Sequence, residues 1–375
     1  MAIEEFRKIL GYRPGQVHLN NAGLAPMTLP AQRAIAEMSE LLVTDAFHQV
    51  EKMIMQYEEA RSSFGKLVGV PGDNVAMTQT CAAAISQVAF GLDLRADDEI
   101  IRWDQEYPSN AYPWHAAASQ KGAKVEVIPS EKNLELSTDR LLDAINPKTR
   151  VVAISWVQYQ TGSMTDLKRV SQACRQHDAW LVVDGIQGLG VIPFDMKEMG
   201  VDALCGGTHK WLCGPFGHGF LALADGRAQE LTPVLQGAIT YGTPDEAVIL
   251  SRSPRPDARR FEPGSPVLLG AVGGAASIEA LLEIGIDRIN REALRLSNTL
   301  SEKLKSIGAR ILSSPREEGQ SPILTVQPAQ SLESAATALK KASVAFGVRG
   351  GGIRLAPHGF NTEEDLDTVL DALGS

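Results

Sequence analysis

The segment "RVVAISWVQYQTGSMTDLKRVSQACRQHDAWLVVDG", residues 150–185, contains two apolar runs rich in β-branched residues, with a helical pattern between them at about 165–177. Buried strand-like runs that are joined by helices are typical of a mostly parallel sheet covered on both faces. The segment therefore predicts one strand–helix–strand unit of an α/β protein.

Similar runs flank this unit on both sides. The strand-like runs are "VAMTQ", "EIIRW", "AKVEVIP", "DALCGG" and "GFLALA", and helical patterns cover 80–92 and 110–121. Ligands of open α/β sheets collect at the carboxyl ends of the strands. The functional residues are therefore expected at Asp184 and at 206–210, which directly follow strand-like runs.

The pattern changes to a smaller α+β segment after about residue 267. Three helices are predicted there, over 267–284, 287–307 and 331–346. The strand-like runs "ARILSS", "PILTVQP" and "GIRLAP" and a final helix complete the chain. We predict a large domain at 16–270 and a small C-terminal domain at 271–375, on which residues 1–15 pack.

Composition excludes several classes of protein. The net charge of -9 argues against a nucleic-acid partner, because such binding depends on clustered cations. No apolar run reaches the roughly 18 residues of a membrane-spanning helix, and the start "MAIEEFRKIL" is too acidic for a signal peptide. The four cysteines form no CxxC pair. We therefore expect a cytoplasmic protein that binds neither membrane nor nucleic acid.

One lysine stands out in "DALCGGTHKWLCGPFGHGF", residues 202–220. Lys210 lies among glycine and apolar residues, which lowers the pKa of an amine and favours the neutral form that attacks a carbonyl. A solvated lysine in a surface turn is the alternative. The spacing of His209, Cys213 and His218 matches no common zinc pattern, so no metal is predicted.

Two further motifs complete a set of chemical groups. In "TQTCAAAISQVAFGL", residues 78–92, the small residues Thr80, Cys81 and Ala82 open a helix whose free N–H groups attract phosphate. Asp184 ends the apolar run "WLVVD" and, when desolvated, needs a cationic partner such as a protonated pyridine nitrogen. A capped core helix and a structural salt bridge are the alternatives. With Lys210, these groups are the ones that pyridoxal phosphate requires.

At this point the chain resembles the class V aminotransferase family, the fold-type I group that includes cysteine desulfurases, kynureninases and isopenicillin epimerase-like enzymes. The resemblance runs from "VHLNNAGLAP", residues 17–26, to "GVRGGGIRLAPHGFNTEED", residues 347–365. It implies a seven-stranded, mostly parallel sheet in the large domain, a small α+β domain and pyridoxal 5'-phosphate as cofactor. It also implies a homodimer with shared active sites.

The resemblance assigns roles to individual residues. "GGTHKWLCGPFGHGFL" makes Lys210 the residue that links covalently to the cofactor, and "DGIQ" places Asp184 on the pyridine nitrogen and Gln187 near the ring oxygen. The other expected cofactor contacts are Thr80, Cys81, Ala82, Tyr107, Thr208, His209 and Ser265. Cys81 and Ala82 replace hydroxyl residues of the family, so their contacts are expected from the backbone. The family serine falls on Gly207, so Thr208 is expected to supply the hydroxyl.

Other contacts concern the partner subunit and the substrate. Ser265 in "RRFEPGSP" is expected to contact the phosphate of the partner subunit. Asn21 and Ala22 line the substrate side, and Arg354 is expected to bind the substrate carboxylate through two parallel hydrogen bonds. Tyr159 stands where desulfurases have an asparagine.

These motifs leave the reaction open. Desulfurases carry a persulfide-forming cysteine between the two C-terminal arginine motifs, where this chain has only "GGG" at 350–352, and no cysteine follows Cys213. Transamination of a small α-amino acid is ranked first, because it needs no extra side chain. The alternatives are β-elimination at a C–S bond, desulfurase-like chemistry and epimerisation. A non-catalytic cofactor-binding protein is the hypothesis of a different class.

Overall fold

The computed structural model describes residues 4–11, 15–131, 134–242, 253–313 and 321–374. Within these ranges the helices are α1 Glu4–Lys8, α2 Leu29–Thr44, α3 Val50–Val68, α4 Cys81–Gly91, α5 Tyr112–Lys121, α6 Thr138–Ala144, α7 Leu167–Gln176, α8 Met196–Met199, α9 Ala238–Tyr241, α10 Leu268–Ile284, α11 Ile286–Ser306, α12 Leu332–Lys341 and α13 Glu363–Gly374. The strands are β1 Val17–His18, β2 Val75–Thr78, β3 Glu99–Trp103, β4 Lys124–Ile128, β5 Thr149–Ser155, β6 Trp180–Asp184, β7 Ala203–Gly207, β8 Gly219–Leu223, β9 Arg310–Ile311, β10 Leu324–Gln327, β11 Val344–Ala345, β12 Gly347–Arg349 and β13 Gly352–Leu355.

The largest sheet has seven strands in the order β2-β8-β7-β6-β5-β3-β4. All neighbouring strands are parallel except that β8 runs antiparallel to β2 and β7. This arrangement confirms the predicted α/β fold with a seven-stranded, mostly parallel sheet.

Both faces of this sheet are buried, as the apolar runs require. Along β6 the side chains alternate between two cores: Leu181 and Val183 join the core that contains Phe64 of α3, whereas Trp180 and Val182 join the core that contains α4 and α5. Side chains of a strand point to opposite faces in turn, so a fully apolar run is needed where both faces are covered.

The second part of the chain contains a four-stranded antiparallel sheet in the order β12-β13-β10-β9. The helix predicted over 331–346 is wrong beyond Lys341. Ser343 has a left-handed φ of 58°, which ends the helix, and Val344–Ala345 then pairs in parallel with Val17–His18. A strand of two residues is too short to show a periodic pattern in the sequence, so the end of the helix at this polar residue could not be predicted.

The core contacts bear on the division into two domains. Helix α10 contributes Ala271 and Ile278 to the same core as the large sheet, whereas Val17 and Leu19 lie in the core of the C-terminal helices and strands. The boundary at residue 270 stays a prediction. No single helix in the described ranges is long and apolar enough to cross a membrane, and the pair α10–α11, bent by 79°, meets that test of length and composition only jointly.

The carboxyl edge of the sheet is where the predicted motifs meet. Strand β6 ends at Asp184, its neighbours end at Ser155 and Gly207, and α4 begins directly after β2. The start of α4 lies so close to β8 that a Cβ atom on Gly219 would be 2.5 Å from the carbonyl carbon of Thr80. Glycine at 219 therefore permits the N-terminus of α4 to reach this edge.

A buried ion pair ties α3 to the segment that leads into Ser265. Both guanidinium Nη atoms of Arg61 donate to Glu262, and Nη1 also donates to the carbonyl of Val75 at 2.8 Å. Glu262 accepts further hydrogen bonds from the N–H of Met77 at 2.7 Å and from the hydroxyl of Tyr57 at 3.0 Å. The side chains of Arg61 and Glu262 are 1% and 7% exposed, so neither charge is solvated.

We expect Arg61→Met to lower the free energy of unfolding by about 3 kcal/mol, because Glu262 would remain buried without its cation. Urea denaturation followed by circular dichroism measures this change. The matched control is Arg95→Met, whose ion pair with Asp93 has side chains 80% and 76% exposed and is expected to contribute less than about 1 kcal/mol. Equal losses in the two variants would show that the buried pair does not hold the fold.

Candidate active site

A cavity of about 390 Å³ opens at the carboxyl edge of the seven-stranded sheet. Ten of the thirteen residues that the sequence nominated line it: Ala22, Thr80, Cys81, Ala82, Tyr107, Asp184, Gln187, His209, Lys210 and Arg354. These residues come from segments more than 300 positions apart in the chain, so the fold alone brings them together. Their individual roles toward a cofactor stay predictions.

Three nominated residues lie elsewhere. Thr208 is fully buried, and its hydroxyl donates to the carbonyl of Pro215 at 2.6 Å, so the structure does not place it as a phosphate contact. Asn21 is also buried, and its amide nitrogen donates to the carbonyl of Ala356 at 2.8 Å, which fixes the neighbouring Ala22. Ser265 lines a different cavity, of about 380 Å³.

Lys210 lies in an environment that favours a neutral amine. Burial lowers the pKa of Lys210, and the nearby charges of Arg354 and Arg349 lower it further, whereas Asp184 acts in the opposite direction. The Lys210 Nζ atom lies 5.7 Å from the centre of the Tyr107 ring. Desolvation thus favours the neutral amine, which is the form that can attack an aldehyde.

Asp184 is a buried acid with incomplete compensation. Burial raises the pKa of its carboxyl, and a hydrogen bond from the N–H of Ile186 at 3.0 Å opposes that rise. The thiol of Cys81 donates to the same oxygen at 3.4 Å. Within the described part of the chain Asp184 has no salt bridge, so the second oxygen is open to a cationic ligand in the cavity. A protonated pyridine nitrogen fits this acid.

The N-terminus of α4 provides an anion site in the same cavity. The Thr80 hydroxyl accepts a hydrogen bond from the N–H of Ala83 at 3.0 Å, which caps the helix. The N–H groups of Cys81 and Ala82 have no acceptor among the described residues. Free N–H groups and the helix dipole attract phosphate. This part of the site therefore fits the phosphate of pyridoxal phosphate.

The charges of the cavity wall favour an anionic ligand. Arg349 and Arg354 are cationic groups, Asp184 is the acid, and burial together with Lys210 lowers the pKa of His209 to about 4. His209 is therefore neutral at neutral pH. A positive cavity suits a phosphate and a substrate carboxylate together.

Arg354 is fixed by two hydrogen bonds and retains donors for a ligand. Its Nη1 donates to the carbonyl of Tyr159 at 2.7 Å and its Nη2 to the side-chain oxygen of Asn20 at 3.2 Å, whereas the buried Nε has no partner among the described residues. Burial lowers the pKa of Arg354 to about 10, and Arg349 contributes to this shift. The guanidinium still remains charged at neutral pH.

Tyr107 forms part of the cavity wall as an aromatic surface. Its ring packs edge to face on Tyr159, with 5.1 Å between ring centres, and it is 43% exposed. Tyr159 therefore supports Tyr107 by ring packing. The sequence showed only that Tyr159 stands where desulfurases have an asparagine, and this did not predict the packing.

The sequence did not indicate the buried network around Glu106. This carboxylate accepts four hydrogen bonds, from the N–H of Ser155 at 2.8 Å, the Ser155 hydroxyl at 2.5 Å, Gln158 at 3.0 Å and Asn110 at 2.9 Å. Ser155 lines the cavity and pairs with Asp184 in the sheet. Glu106 therefore holds the loop that carries Tyr107 against the end of β5. In the sequence, the available indication of this role was that Glu106 directly precedes Tyr107, a predicted cofactor contact.

Among the described residues, no three histidine, cysteine or acidic side chains lie close enough together to hold a metal ion. The cavity instead combines an amine, an acid, an anion site and an aromatic wall. Residues 19–359 match the sequence model of the aminotransferase class-V family. The chain belongs to the class V aminotransferase family. It is an enzyme that depends on pyridoxal phosphate, which is the cofactor that the groups in the cavity fit.

Relatives of this class V enzyme carry two kinds of name. The chain is 26% identical to an uncharacterised aminotransferase of Bacillus subtilis, over 99% of this chain and 97% of that protein. It is 27% identical to a probable cysteine desulfurase of Methanothermobacter thermautotrophicus, over 82% of this chain and 77% of that protein.

Solved structures agree with the fold. The apo cysteine desulfurase of Thermococcus onnurineus superposes with a TM-score of 0.89, covering 100% of this chain and 98% of that one at 21% identity. The cystine C–S lyase C-DES in complex with its product cysteine persulfide gives a TM-score of 0.88, covering 96% and 98% at 21% identity. These structures confirm fold type I for this class V enzyme.

Glu106 generates a test that depends on pH. Burial raises the pKa of Glu106 to about 7, with Asp184 contributing, from an ordinary value of 4.5. A carboxyl with a raised pKa in the folded state contributes stability below its unfolded pKa and loses it as the pH rises through the folded value. We therefore expect the stability advantage of the wild type over Glu106→Gln to shrink by about 2 kcal/mol between about pH 5 and about pH 8.

Urea denaturation at several pH values measures this trend. The control is Glu126→Gln, which changes an exposed side chain of the edge strand β4 and is expected to show no such trend. An advantage that grows with pH would contradict the expectation, because it would mean that the four donors outweigh the desolvation of the carboxylate.

Proposed function

We propose that this enzyme cleaves the C–S bond of a small sulfur-containing amino acid by β-elimination. The observation that carries the proposal is the two-residue turn at 350–351, which joins β12 to β13 between the two cavity arginines Arg349 and Arg354. The turn contains no cysteine, and no cysteine follows Cys213. Of the four cysteines only Cys81 lines the cavity, and its buried thiol donates to Asp184 at 3.4 Å. The enzyme would therefore release sulfur in its product instead of transferring it to its own thiol.

The names of the relatives support this ranking. Cysteine desulfurases recur among them, and the C–S lyase C-DES shares the fold over nearly its whole length. Transamination, which the sequence alone ranked first, remains the second candidate, because the B. subtilis relative that covers nearly the whole chain is named an aminotransferase.

Four groups of the cavity have defined tasks in the proposed reaction. Pyridoxal phosphate supplies an electron sink for the electrons released at the substrate Cα. The neutral amine of Lys210 is placed to take the proton from Cα. The Cβ–S bond then breaks, and its electron pair leaves with the sulfur. Asp184 holds a positive charge on the pyridine nitrogen, and the N-terminus of α4 holds the phosphate.

Arg354 orients the substrate. Its Nε is buried and unpartnered and its Nη atoms are held by Tyr159 and Asn20, so the guanidinium plane is fixed before a ligand binds. A planar fork binds a carboxylate through two hydrogen bonds, which a lysine cannot reproduce.

We expect Arg354→Lys to raise KM for the amino acid by about tenfold or more, with a smaller change in kcat, because two-point binding of the carboxylate is lost. Steady-state kinetics separates the two constants. Arg349→Lys is the matched control, since Arg349 lines the same cavity but is exposed and donates to its neighbouring carbonyl of Val348. A larger rise of KM in Arg349→Lys than in Arg354→Lys would indicate that Arg349 binds the substrate carboxylate.

A homodimer is part of the proposal. Ser265 lines a second cavity and does not face the cavity of its own chain, which agrees with its expected contact to the phosphate of a partner subunit. Val234 and Leu235, 44% and 53% exposed, line the same second cavity and offer apolar surface to a second copy. We place this dimer in the cytoplasm, in keeping with four free cysteines.

The decisive experiment supplies L-cysteine, L-cystine and L-alanine to the purified holoenzyme. β-Elimination of cysteine consumes one water and yields pyruvate, ammonia and sulfide in equal amounts without an added keto acid. Transfer of the amino group to an added keto acid with no sulfur release would instead establish transamination. Lys210→Ala is the control and is expected to lose both turnover and the lysine adduct that borohydride reduces.

A further inference from the structure

Gln187 presents an ambiguous side chain to the cofactor cavity. An amide carries an acceptor oxygen and a donor nitrogen of nearly equal size, and rotation by half a turn exchanges them. Gln187 is 3% exposed and lines the cavity next to Asp184 and Lys210. Which of the two atoms faces the ligand decides whether this residue attracts or repels an oxygen of the cofactor.

Two neighbours determine the orientation of this amide. The indole Nε1 of Trp211 lies 2.9 Å from the Gln187 oxygen, and an indole N–H can only donate. The Gln187 nitrogen donates to the carbonyl of Ala22 at 3.0 Å, and a carbonyl can only accept. Both contacts require the same orientation, and both would be lost if the amide turned. One N–H of the amide is then left for a ligand in the cavity.

Trp211 is itself held firmly in place. It is fully buried, and its backbone carbonyl lies 2.9 Å from the ring nitrogen Nε2 of His358, which belongs to the C-terminal segment. Its ring also packs on His358, with 5.4 Å between ring centres. Because Trp211 directly follows Lys210, one short segment places both the reactive amine and the group that aligns Gln187.

We propose that Trp211 is a positioning residue. It fixes the amide of Gln187 so that the amide N–H, and not the amide carbonyl, points toward the hydroxyl oxygen on the pyridine ring of pyridoxal phosphate. The N–H stabilises the ionised oxygen, and the reversed amide would place a lone pair against it. The inference concerns how the cofactor is held and does not depend on which bond the enzyme breaks.

The test is a pH titration of the visible absorbance of the holoenzyme. Trp211→Phe removes the indole N–H and leaves the amide of Gln187 oriented by the carbonyl of Ala22 alone, so the turned orientation becomes more populated. We expect the pH at the midpoint of the absorbance transition to rise by about one unit. This rise is equivalent to a tenfold loss in the stabilisation of the ionised oxygen. Faster loss of pyridoxal phosphate on dialysis is expected with it.

Three further proteins make the result specific. Gln187→Glu retains an acceptor for the indole but has no N–H, so it is expected to shift the transition at least as far. Adding Trp211→Phe to Gln187→Glu is expected to cause no additional shift. Trp180→Phe is the matched control, because Trp180 is equally buried and its indole nitrogen has no hydrogen-bond partner in the described ranges.

Replacement of Trp211 by β-(3-benzothienyl)alanine protects the test against a folding defect. This residue keeps the bicyclic ring and has sulfur in place of the N–H, so it is expected to shift the transition as Trp211→Phe does. If the benzothienylalanine protein has the same transition as the wild type while Gln187→Glu is shifted, Trp211 does not determine the orientation of the Gln187 amide. A wild-type transition in Gln187→Glu would remove Gln187 from the cofactor contacts and overturn the proposal, whatever the product assay shows.

Discussion

The structure depends on placing an amine and a carboxylate in one desolvated cavity. Lys210 and Asp184 are both withdrawn from water, and burial alone disfavours the charged form of each. Their mutual attraction opposes that effect without forming a salt bridge among the described residues. The acid thus remains available for a cationic ring nitrogen, and the amine remains available for a carbonyl. A tight ion pair between them would have satisfied both groups and left neither for a cofactor.

A second buried acid shows how the fold assigns different tasks to similar groups. Glu106 accepts four hydrogen bonds from three neighbouring residues, so its oxygens have no capacity for a ligand. Among the residues that the structure describes, Asp184 accepts two, from Ile186 and the weak thiol donor of Cys81. The satisfied carboxylate is therefore structural and supports the loop of Tyr107, whereas the incompletely satisfied one faces the cavity.

The residues that could be predicted from the sequence are those whose signal is local. Lys210, Asp184 and the start of α4 each follow a strand directly, and the rule that ligands collect at strand ends brings them together. The network of Glu106 and the contact between Trp211 and His358 join residues 49 and 147 positions apart, and no local pattern encodes such contacts. The hydrogen bond from the Thr208 hydroxyl to the carbonyl of Pro215 has no local signal either, because it depends on the path of the following loop.

The short hairpin between β12 and β13 links the missing cysteine to substrate binding. In this hairpin Arg349 pairs with Gly352 and Arg354 with Gly347, so the turn keeps two guanidinium groups at one cavity. Burial lowers the pKa of Arg354, and repulsion from the charge of Arg349 lowers it further. An anionic ligand between them relieves this repulsion on binding, and partial desolvation strengthens the effect. The turn that excludes a sulfur-accepting loop thereby concentrates positive charge where a substrate carboxylate is expected.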